Sequence, residues 1–329
     1  MLLPRRVLWM FPAGILLLGT GVVSGQDYPT RPIRFVTSGT GGGNDRIARE
    51  IAQAIAGPLG QPVTVENHQG GITPGEIVSK APPDGHTLLV YNNTLWIGPL
   101  LQPASYDAVR DFAPIAELAR TPNVLVVSAA SPAKSVSELI ALAKARPGEL
   151  KYGASGTGAG NHLAGELFGA MAGIKIVPVN YKGIGGAVKD LLAGELQLMF
   201  PTTVTGAPLV QSGKLRALGV TSATPSVLLP GVPPVAASGL PGYEAITIFS
   251  AFAPAATPSA IIVRLNEEMV RFLIRADVKE QMFNAGMETV ASSPAQLAAT
   301  VKAELTRMGK VIQDAGIRAG AEPSRTRAE

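Results

Sequence analysis

The hydrophobic pattern along the chain alternates short runs typical of β-strands with longer runs at helical spacing. Residues 34–37 form a strand-like run, and a glycine-rich segment separates them from Ile47, Ile51 and Ile55, which recur at every fourth position. This spacing places the three isoleucines on one face of a helix. The pattern therefore predicts a strand, a glycine loop and a helix that ends at Gly57-Pro58.

The same order of strand, loop and helix recurs through the rest of the chain. Further strands are predicted at residues 63–65, 88–90, 124–127, 150–154, 176–181, 196–200 and 215–220. Further helices are predicted from Ser135, with Glu138 at capping-box spacing, across 163–171 and 188–192, and from Ser293 to Gly316. Alternating strands and helices predict an α/β fold with mostly parallel sheets. About 300 residues exceed what one core usually holds, which predicts two lobes.

The glycines are concentrated in loops of one kind. Clusters around Gly41, Gly158 and Gly185 each follow a predicted strand and precede a predicted helix. In open α/β sheets the carboxyl ends of the strands border the ligand crevice, and helix N-termini there present unpaired N–H groups. Several such loops meeting in one cleft would form an uncharged receptor for an anion.

The N-terminal segment has the layout of a secretory signal peptide. Arg5 and Arg6 precede an apolar run at residues 7–18, and small residues follow at positions 23–25. We expect cleavage near Gly25 and export to the periplasm; an uncleaved N-terminal anchor is the alternative. Cleavage would remove two of the 28 Lys and Arg residues, leaving 26 against 24 Asp and Glu and a net charge of +2. This balance gives no basis for nucleic-acid binding.

Composition excludes several kinds of site. The chain has no cysteine, which rules out disulfides, zinc–cysteine sites, iron–sulfur clusters, a cysteine nucleophile and an N-terminal lipid anchor on cysteine. Its three histidines are dispersed, and His68 and His86, which flank loops, are expected at the surface. No carboxylates stand at metal-binding spacing, so we expect neither a metal nor a cofactor.

Enzyme motifs are incomplete in this chain. Arg46 and Asn161 stand where a dinucleotide-binding loop has its third small residue, and neither glycine loop ends in the Gly-Lys-Ser/Thr of a phosphate-binding loop. The segment around Ser155 lacks the final glycine of a nucleophile elbow. Ser131 begins an S-x-x-K segment, a spacing found in penicillin-interacting serine enzymes. A Ser-Pro turn before the Ser135 helix is the simpler interpretation. A serine hydrolase using Ser155 or Ser131 remains the enzyme alternative.

Several polar residues near the predicted loops have two interpretations. His162 opens a helix after the 155–160 loop, where it would either donate a hydrogen bond into a cleft or hold the loop in shape. Asp45 is either a partner of the helix start or a contact for an amino group on a ligand. Tyr181 and Lys182 stand at the end of a strand. Each is either an ordinary core or solvent-facing residue or part of a pocket or its rim.

Several short segments, taken in order, carry a family resemblance. They are YPTRPI (28–33), APPDG (81–85), DFAPI (111–115), HLAGELF (162–168), YKG (181–183), GKLRAL (213–218), FAPA (252–255) and GKVIQDAGI (309–317). With this order and spacing, the chain resembles the Bug-type solute-binding proteins of tripartite tricarboxylate transporters over nearly its whole length after the signal segment.

The resemblance implies a two-lobed, type II-like periplasmic binding protein with a ligand cleft between the lobes. Residues 27–125 and 248–320 would form the first lobe, residues 126–247 the second, and residues 321–329 a polar tail. Such a protein would act as a monomer and capture a small carboxylate, namely a di- or tricarboxylate, an acidic amino acid or an aromatic acid. It would pass this ligand to a membrane permease with one large and one small subunit. A further alternative to a transport receptor is a sensor module, whose ligand-bound form signals to a membrane kinase.

The resemblance also implies a set of ligand-binding residues. They are Gly42, Gly43, Asn44, Asp45, Asn92, Asn93 and Thr94 in the first lobe, and Ser155, Thr157, Gly158, Asn161, His162, Tyr181, Lys182, Gly183 and Thr202 in the second. The chain departs from the family pattern in these loops: residues 37–40 replace a Pro-rich turn, Asn44 and Ala159 replace Ser or Thr, and Pro201 replaces an Asp. The loop at 70–75 also looks shortened. The departures bear on the identity of the ligand more than on the fold.

Overall fold

The computed structural model describes residues 28–156, 159–181 and 184–314. The predicted signal peptide and polar tail therefore lie outside the described residues, as do Thr157, Gly158, Lys182 and Gly183. Within the described ranges, no helix combines the length and the apolar character needed to cross a membrane.

Strands and helices alternate along most of the chain. The strands are β1 (Ile33–Ser38), β2 (Val63–His68), β3 (Thr87–Asn92), β4 (Phe112–Pro122), β5 (Val124–Ser128), β6 (Lys151–Ala154), β7 (Val177–Asn180), β8 (Leu198–Met199), β9 (Leu215–Val220), β10 (Ile246–Pro254) and β11 (Glu288–Thr289). The helices are α1 (Gly43–Leu59), α2 (Thr73–Val78), α3 (Thr94–Leu101), α4 (Val136–Ala145), α5 (Gly160–Ala172), α6 (Ile184–Ala193), α7 (Thr203–Gln211), α8 (Ser259–Leu273), α9 (Ala276–Asn284) and α10 (Pro294–Asp314).

The strands form two separate sheets. The first sheet has the order β11-β4-β10-β3-β1-β2, and the second has the order β7-β6-β8-β5-β9. Strand β10 follows the second sheet in sequence yet lies between β4 and β3 of the first. The chain therefore leaves the first sheet after β4, builds the second, and returns.

Both sheets are mixed, which corrects the expectation of mostly parallel sheets. Strand β1 is parallel to β2 and β3, and β6 is parallel to β7 and β8. The described antiparallel pairs all include β4, β5, β9 or β10. These are the strands that begin or end where the chain crosses between the sheets. A crossing without a β-α-β connection does not impose parallel pairing.

Each sheet has its own hydrophobic core. In the first, Ile47, Ile51 and Ile55 of α1 are fully buried where this helix packs on strands β1 and β3, which confirms the predicted helical face. The end of this helix is corrected: α1 continues through Pro58 and stops at Gly60, whose φ of +68° breaks the helical path. A left-handed residue of this kind, rather than the Gly-Pro pair, ends the helix.

Two further local predictions have different outcomes. The Ser135 side chain accepts a hydrogen bond from the backbone N–H of Glu138 at 3.1 Å, which confirms the predicted helix start. His86, expected at the surface, is buried, and its ring lies 5.1 Å from that of Tyr28. The Tyr28 hydroxyl also donates to the backbone oxygen of Gly85, so the first described residue covers this histidine.

Candidate functional site

A cleft between the two sheets has a volume of about 790 Å³, part of which is open to solvent. It is lined by Ser38, Gly39, Thr40, Gly42, Gly43, Asn44, Gly70, Gly71, Tyr91, Asn92, Thr94, Ser155, Ala159, Gly160, Asn161, Ile184, Thr202, Thr205, Thr247 and Phe249. Lining residues come from both sheets, and none of these twenty carries a formal charge. Among the residues that the structure describes, the lining therefore offers a charged ligand dipoles and hydrogen bonds rather than a formal counter-charge.

Three helix N-termini open into this cleft. The N-cap residues of α1, α5 and α7 are Gly42, Ala159 and Thr202, and none of the three ends is capped by a side-chain hydrogen bond. The amides of a first helical turn have no acceptor within their own helix and lie at the positive end of its dipole. Together these ends give the uncharged cleft a positive electrostatic character suited to an anion.

The first-sheet wall is organised around Ser38. The Asn44 Nδ2 donates to the Ser38 hydroxyl oxygen at 2.9 Å, and the Asn67 Nδ2 donates to the Ser38 backbone oxygen at 2.7 Å. These bonds connect the end of β1 to the start of α1 and to the end of β2. The predicted residues Gly42, Gly43 and Asn44 line the cleft at this point.

Asp45 is buried beside the cleft and is absent from its lining. One carboxylate oxygen accepts from Arg49 Nε at 2.9 Å and from Asn67 Nδ2 at 2.8 Å, while the other accepts from the Gly41 amide at 3.1 Å. The carboxylate is thus neutralised by Arg49 and holds the glycine loop in place. This corresponds to the interpretation of Asp45 as a partner of the helix start.

The three predicted residues at the end of β3 and the start of α3 differ in where they lie: two line the cleft and one is buried in the core. Asn92 and Thr94 line the cleft, and the Asn92 side-chain oxygen accepts from the Thr94 amide at 3.1 Å. Asn93 is buried behind them, where its Nδ2 donates to the backbone oxygen of Ile246 at 2.9 Å. Asn93 therefore attaches this loop to the returning strand β10.

On the second-sheet wall, Asn161 and Ser155 form a unit. The Asn161 side-chain oxygen accepts from both the amide and the hydroxyl of Ser155, each at 3.2 Å. Both residues line the cleft, as does Thr202. This bond fixes the end of β6 relative to the N-terminus of α5.

His162 and Tyr181 are buried and do not belong to the lining. The His162 ring lies 6.3 Å from the ring of Tyr152, and burial lowers the pKa of the imidazole, against an opposing effect of Glu166. The Tyr181 hydroxyl donates to Asp190 of α6 at 2.6 Å. This placement agrees with a role in supporting the loop for His162 and with a core position for Tyr181. A part of either residue in ligand binding stays a prediction.

The remaining lining residues were not among the predicted site residues. They are Ser38, Gly39, Thr40, Gly70, Gly71, Tyr91, Ala159, Gly160, Ile184, Thr205, Thr247 and Phe249. The loops at 37–40 and 70–75, together with Ala159, were marked in the sequence as departures from the family pattern, which was a usable signal. Thr247 and Phe249 carry no local signal, because they reach the cleft only through the return of β10 to the first sheet.

Comparison with known proteins identifies the family. The family described as "Tripartite tricarboxylate transporter family receptor" matches residues 47–317. The chain belongs to this family. Its members are solute-binding receptors, and the resemblance to Bug-type proteins is confirmed.

Named relatives match this receptor over almost the full length of both chains. The UPF0065 protein in the tcbD–tcbE intergenic region of Pseudomonas sp. strain P51 is 36% identical over 313 residues, covering 94% of this chain and 93% of its own. BugT of Bordetella pertussis is 34% identical over 312 residues, covering 92% and 96%.

Solved structures of similar receptors share the two-lobed α/β fold. Rpa4515 of R. palustris, solved with adipate, has a TM-score of 0.84 and 35% identity, covering 89% of this chain and 100% of its own. The periplasmic binding protein BugD has a TM-score of 0.83 and 28% identity, covering 89% and 100%. MatC of Rhodopseudomonas palustris, solved with bound malate, has a TM-score of 0.82 and 28% identity, covering 87% and 100%.

Proposed function

We propose that this protein is a periplasmic receptor that captures a small carboxylate and delivers it to a permease with one large and one small subunit. The observation that carries the proposal is the cleft into which the N-termini of α1, α5 and α7 open, with a lining that is uncharged among the described residues. Backbone amides at such helix ends attract an anion whether or not a cationic side chain also contacts it. Adipate and malate, found in the solved structures of two similar receptors, belong to the same chemical class.

The proposed cradle combines residues from both sheets. Gly42, Gly43, Asn44, Asn92 and Thr94 would contact the ligand from the first sheet, and Ser155, Asn161 and Thr202 from the second. Thr157, Gly158, Lys182 and Gly183 stay in the proposal on the family resemblance alone. Amide and hydroxyl side chains would add directional hydrogen bonds to the electrostatic attraction of the helix ends.

The lobes proposed are residues 27–125 with 248–320, and residues 126–247. This division follows the strand order, in which the chain crosses between sheets next to Asn123 and again before β10. Closure of the two lobes around the carboxylate would exclude water and present one shape to the permease. We propose that the protein works as a monomer, with the signal peptide removed near Gly25.

A hydrolase on this scaffold has weaker support. The Ser155 hydroxyl donates to the amide oxygen of Asn161, a group that cannot accept the proton of a nucleophile as a histidine does. The Ser131 oxygen accepts from the Ala133 amide at 3.3 Å, as in an ordinary Ser-Pro turn. A role in sensing is separated from transport by gene context: adjacent genes for a large and a small multi-span membrane protein favour transport.

The proposal is tested with a thermal-shift panel on protein lacking residues 1–25. The panel contains adipate, malate, aspartate and benzoate, and adipamide serves as a control because it has the length of adipate without its charges. A carboxylate that binds should raise the unfolding midpoint, with a stabilisation of about 2.7 kcal/mol at a concentration one hundred times its Kd. Adipamide should cause no shift, since it has no charge for the helix ends to stabilise.

A receptor and an enzyme differ in whether the bound carboxylate is chemically changed. Proton NMR of the stabilising carboxylate after prolonged incubation should show the unchanged compound. Turnover would exclude a pure receptor, and an absence of any shift across a wide range of carboxylates would exclude carboxylate capture.

A further inference from the structure

The loop after β2 meets the second sheet at one side of the cleft. A Cβ atom placed on Gly70 would lie 3.4 Å from the backbone oxygen of Ser155, which follows β6. The same Cβ would lie 3.8 Å from the hydroxyl oxygen of Tyr91. Gly70, Ser155 and Tyr91 all line the cleft. The two walls are therefore in near contact here, through a glycine that has no side chain to separate them.

Tyr91 is hydrogen-bonded to the loop that contains Gly70 and Gly71. Its hydroxyl donates to the backbone oxygen of Gly71 at 2.9 Å, while its ring is 2% exposed and packs in the core beneath the first sheet. Burial raises the pKa of the Tyr91 phenol, so the group stays protonated and remains a donor. Gly71 adopts a φ of +76°, a conformation that favours glycine, so the loop has little stiffness of its own to keep this shape.

We propose that Tyr91 is a positioning residue of the cleft, whose hydroxyl holds the Gly70–Gly71 loop against Ser155 and thereby stabilises the closed form. The effect on ligand affinity rests on the proposed carboxylate-binding function, whereas the effect on the loop does not. Closure at this side of the cleft slows the escape of a bound carboxylate more than its entry. Loss of the hydroxyl should therefore appear mainly in the dissociation rate.

The chain offers a matched control in Tyr106. This tyrosine is also buried, packs in the same hydrophobic cluster, and donates through its hydroxyl to a backbone oxygen, that of Leu95, at 2.9 Å. It does not line the cleft. Tyr91→Phe and Tyr106→Phe each remove one buried phenol–carbonyl hydrogen bond, and Tyr91→Phe also removes an interaction with the Thr94 side chain. A merely structural role predicts that the exchange of residues 69–72 responds similarly to both substitutions.

The first measurement is amide hydrogen exchange at residues 69–72 in protein without carboxylate. Tyr91→Phe should speed exchange of this segment by about tenfold, because the loop opens locally without unfolding the sheet. Tyr106→Phe should exchange there as the wild type does. Equal protection in Tyr91→Phe and the wild type would overturn the proposal.

The second measurement follows closure directly. Because the chain has no native cysteine, spin labels at Gln53→Cys on α1 and Lys189→Cys on α6, both exposed, report only the distance between the two sheets. Tyr91→Phe should shift the population toward longer distances, and Tyr106→Phe should not. Distance distributions that agree in all three proteins would count against the role in closure.

Adipate and malate are the ligand probes. Whichever binds the wild type should dissociate about five- to tenfold faster from Tyr91→Phe, with an association rate close to that of the wild type, as expected for one lost hydrogen bond. Dissociation from Tyr106→Phe should match the wild type. If neither adipate nor malate binds the wild type, the expectation that the protein binds these two carboxylates is wrong. The hydrogen-exchange and distance measurements still test the role of Tyr91, because they need no ligand.

Discussion

At Asn161, stability and the proposed binding of a carboxylate favour opposite substitutions. It stands in the first turn of α5, where the helix dipole favours a negative charge, and its side-chain oxygen already accepts two bonds from Ser155. A carboxylate at this position would keep both bonds. It would also repel any anion bound in the cleft.

Asn161→Asp should therefore leave the midpoint of urea unfolding unchanged or raise it, while carboxylate affinity measured by calorimetry falls at least about tenfold. Ser259→Asp is the control, because it adds the same charge to the exposed N-terminus of α8, outside the cleft lining. That variant should bind as the wild type does. Full affinity in Asn161→Asp would remove α5 from the proposed cradle.

His162 contributes to stability in its neutral form. Burial lowers its pKa, so between the folded value and the unfolded value of about 6.5 the unfolded chain binds a proton that the folded chain does not. This contribution is complete above the unfolded pKa and is lost as the pH falls toward the folded one.

His162→Gln should consequently weaken the dependence of the free energy of unfolding on pH between 7 and 5, even if it lowers stability at pH 7. Parallel pH profiles for His162→Gln and the wild type would contradict this assignment.

At the level of secondary-structure elements, α1 and β10 approach each other closely where Gly43 and Phe249 line the cleft. A Cβ atom on Gly43 would lie 2.5 Å from Phe249 Cζ and 3.0 Å from its Cε1, distances that require the buried ring to move. Gly42, one residue earlier, has open space around it and an extended backbone that any residue adopts. The first helical turn can thus lie directly on the aromatic ring only because position 43 is a glycine.

Gly43→Ala should lower the free energy of unfolding by about 1–3 kcal/mol, as overpacked core positions do, whereas Gly42→Ala should change it by much less. Urea unfolding of both variants without carboxylate measures this difference apart from any effect on binding. Equal free energies of unfolding in the two variants would show that the Phe249 ring moves aside with little loss of stability.

At the scale of the whole molecule, threonine side chains connect the two sheets where the chain crosses. The Thr221 hydroxyl lies 2.7 Å from the Asn123 amide, from which it accepts, and 2.5 Å from the Ala245 oxygen, to which it donates. Nearby, the hydroxyls of Thr121 and Thr203 each lie 2.7 Å from the backbone oxygen of Gly286. These bonds satisfy backbone groups that a crossing strand would otherwise bury without partners.

Local signals in the sequence were sufficient for much of the fold. The spacing of Ile47, Ile51 and Ile55 gave the buried face of α1, and Ser135 with Glu138 gave the start of α4, because both depend on neighbours within one helix. The same is true of Asn44 and Asn161 as cleft residues, since a loop between a strand and a helix is a local feature. The end of α1 was misplaced because Gly57 and Gly60 are equally permissive in sequence.

Patterns along the sequence were enough to give the α/β class, the family, and several of the loops that line the cleft. Which residues share the cleft and which lie behind it depends on how distant segments pack together in the folded protein. Asp45, Asn93, His162 and Tyr181 sit in those same loops, yet each lies behind the cleft lining. Thr247 and Phe249 enter the cleft because β10 returns to the first sheet between β3 and β4, a pairing between segments far apart in the chain that no local pattern records.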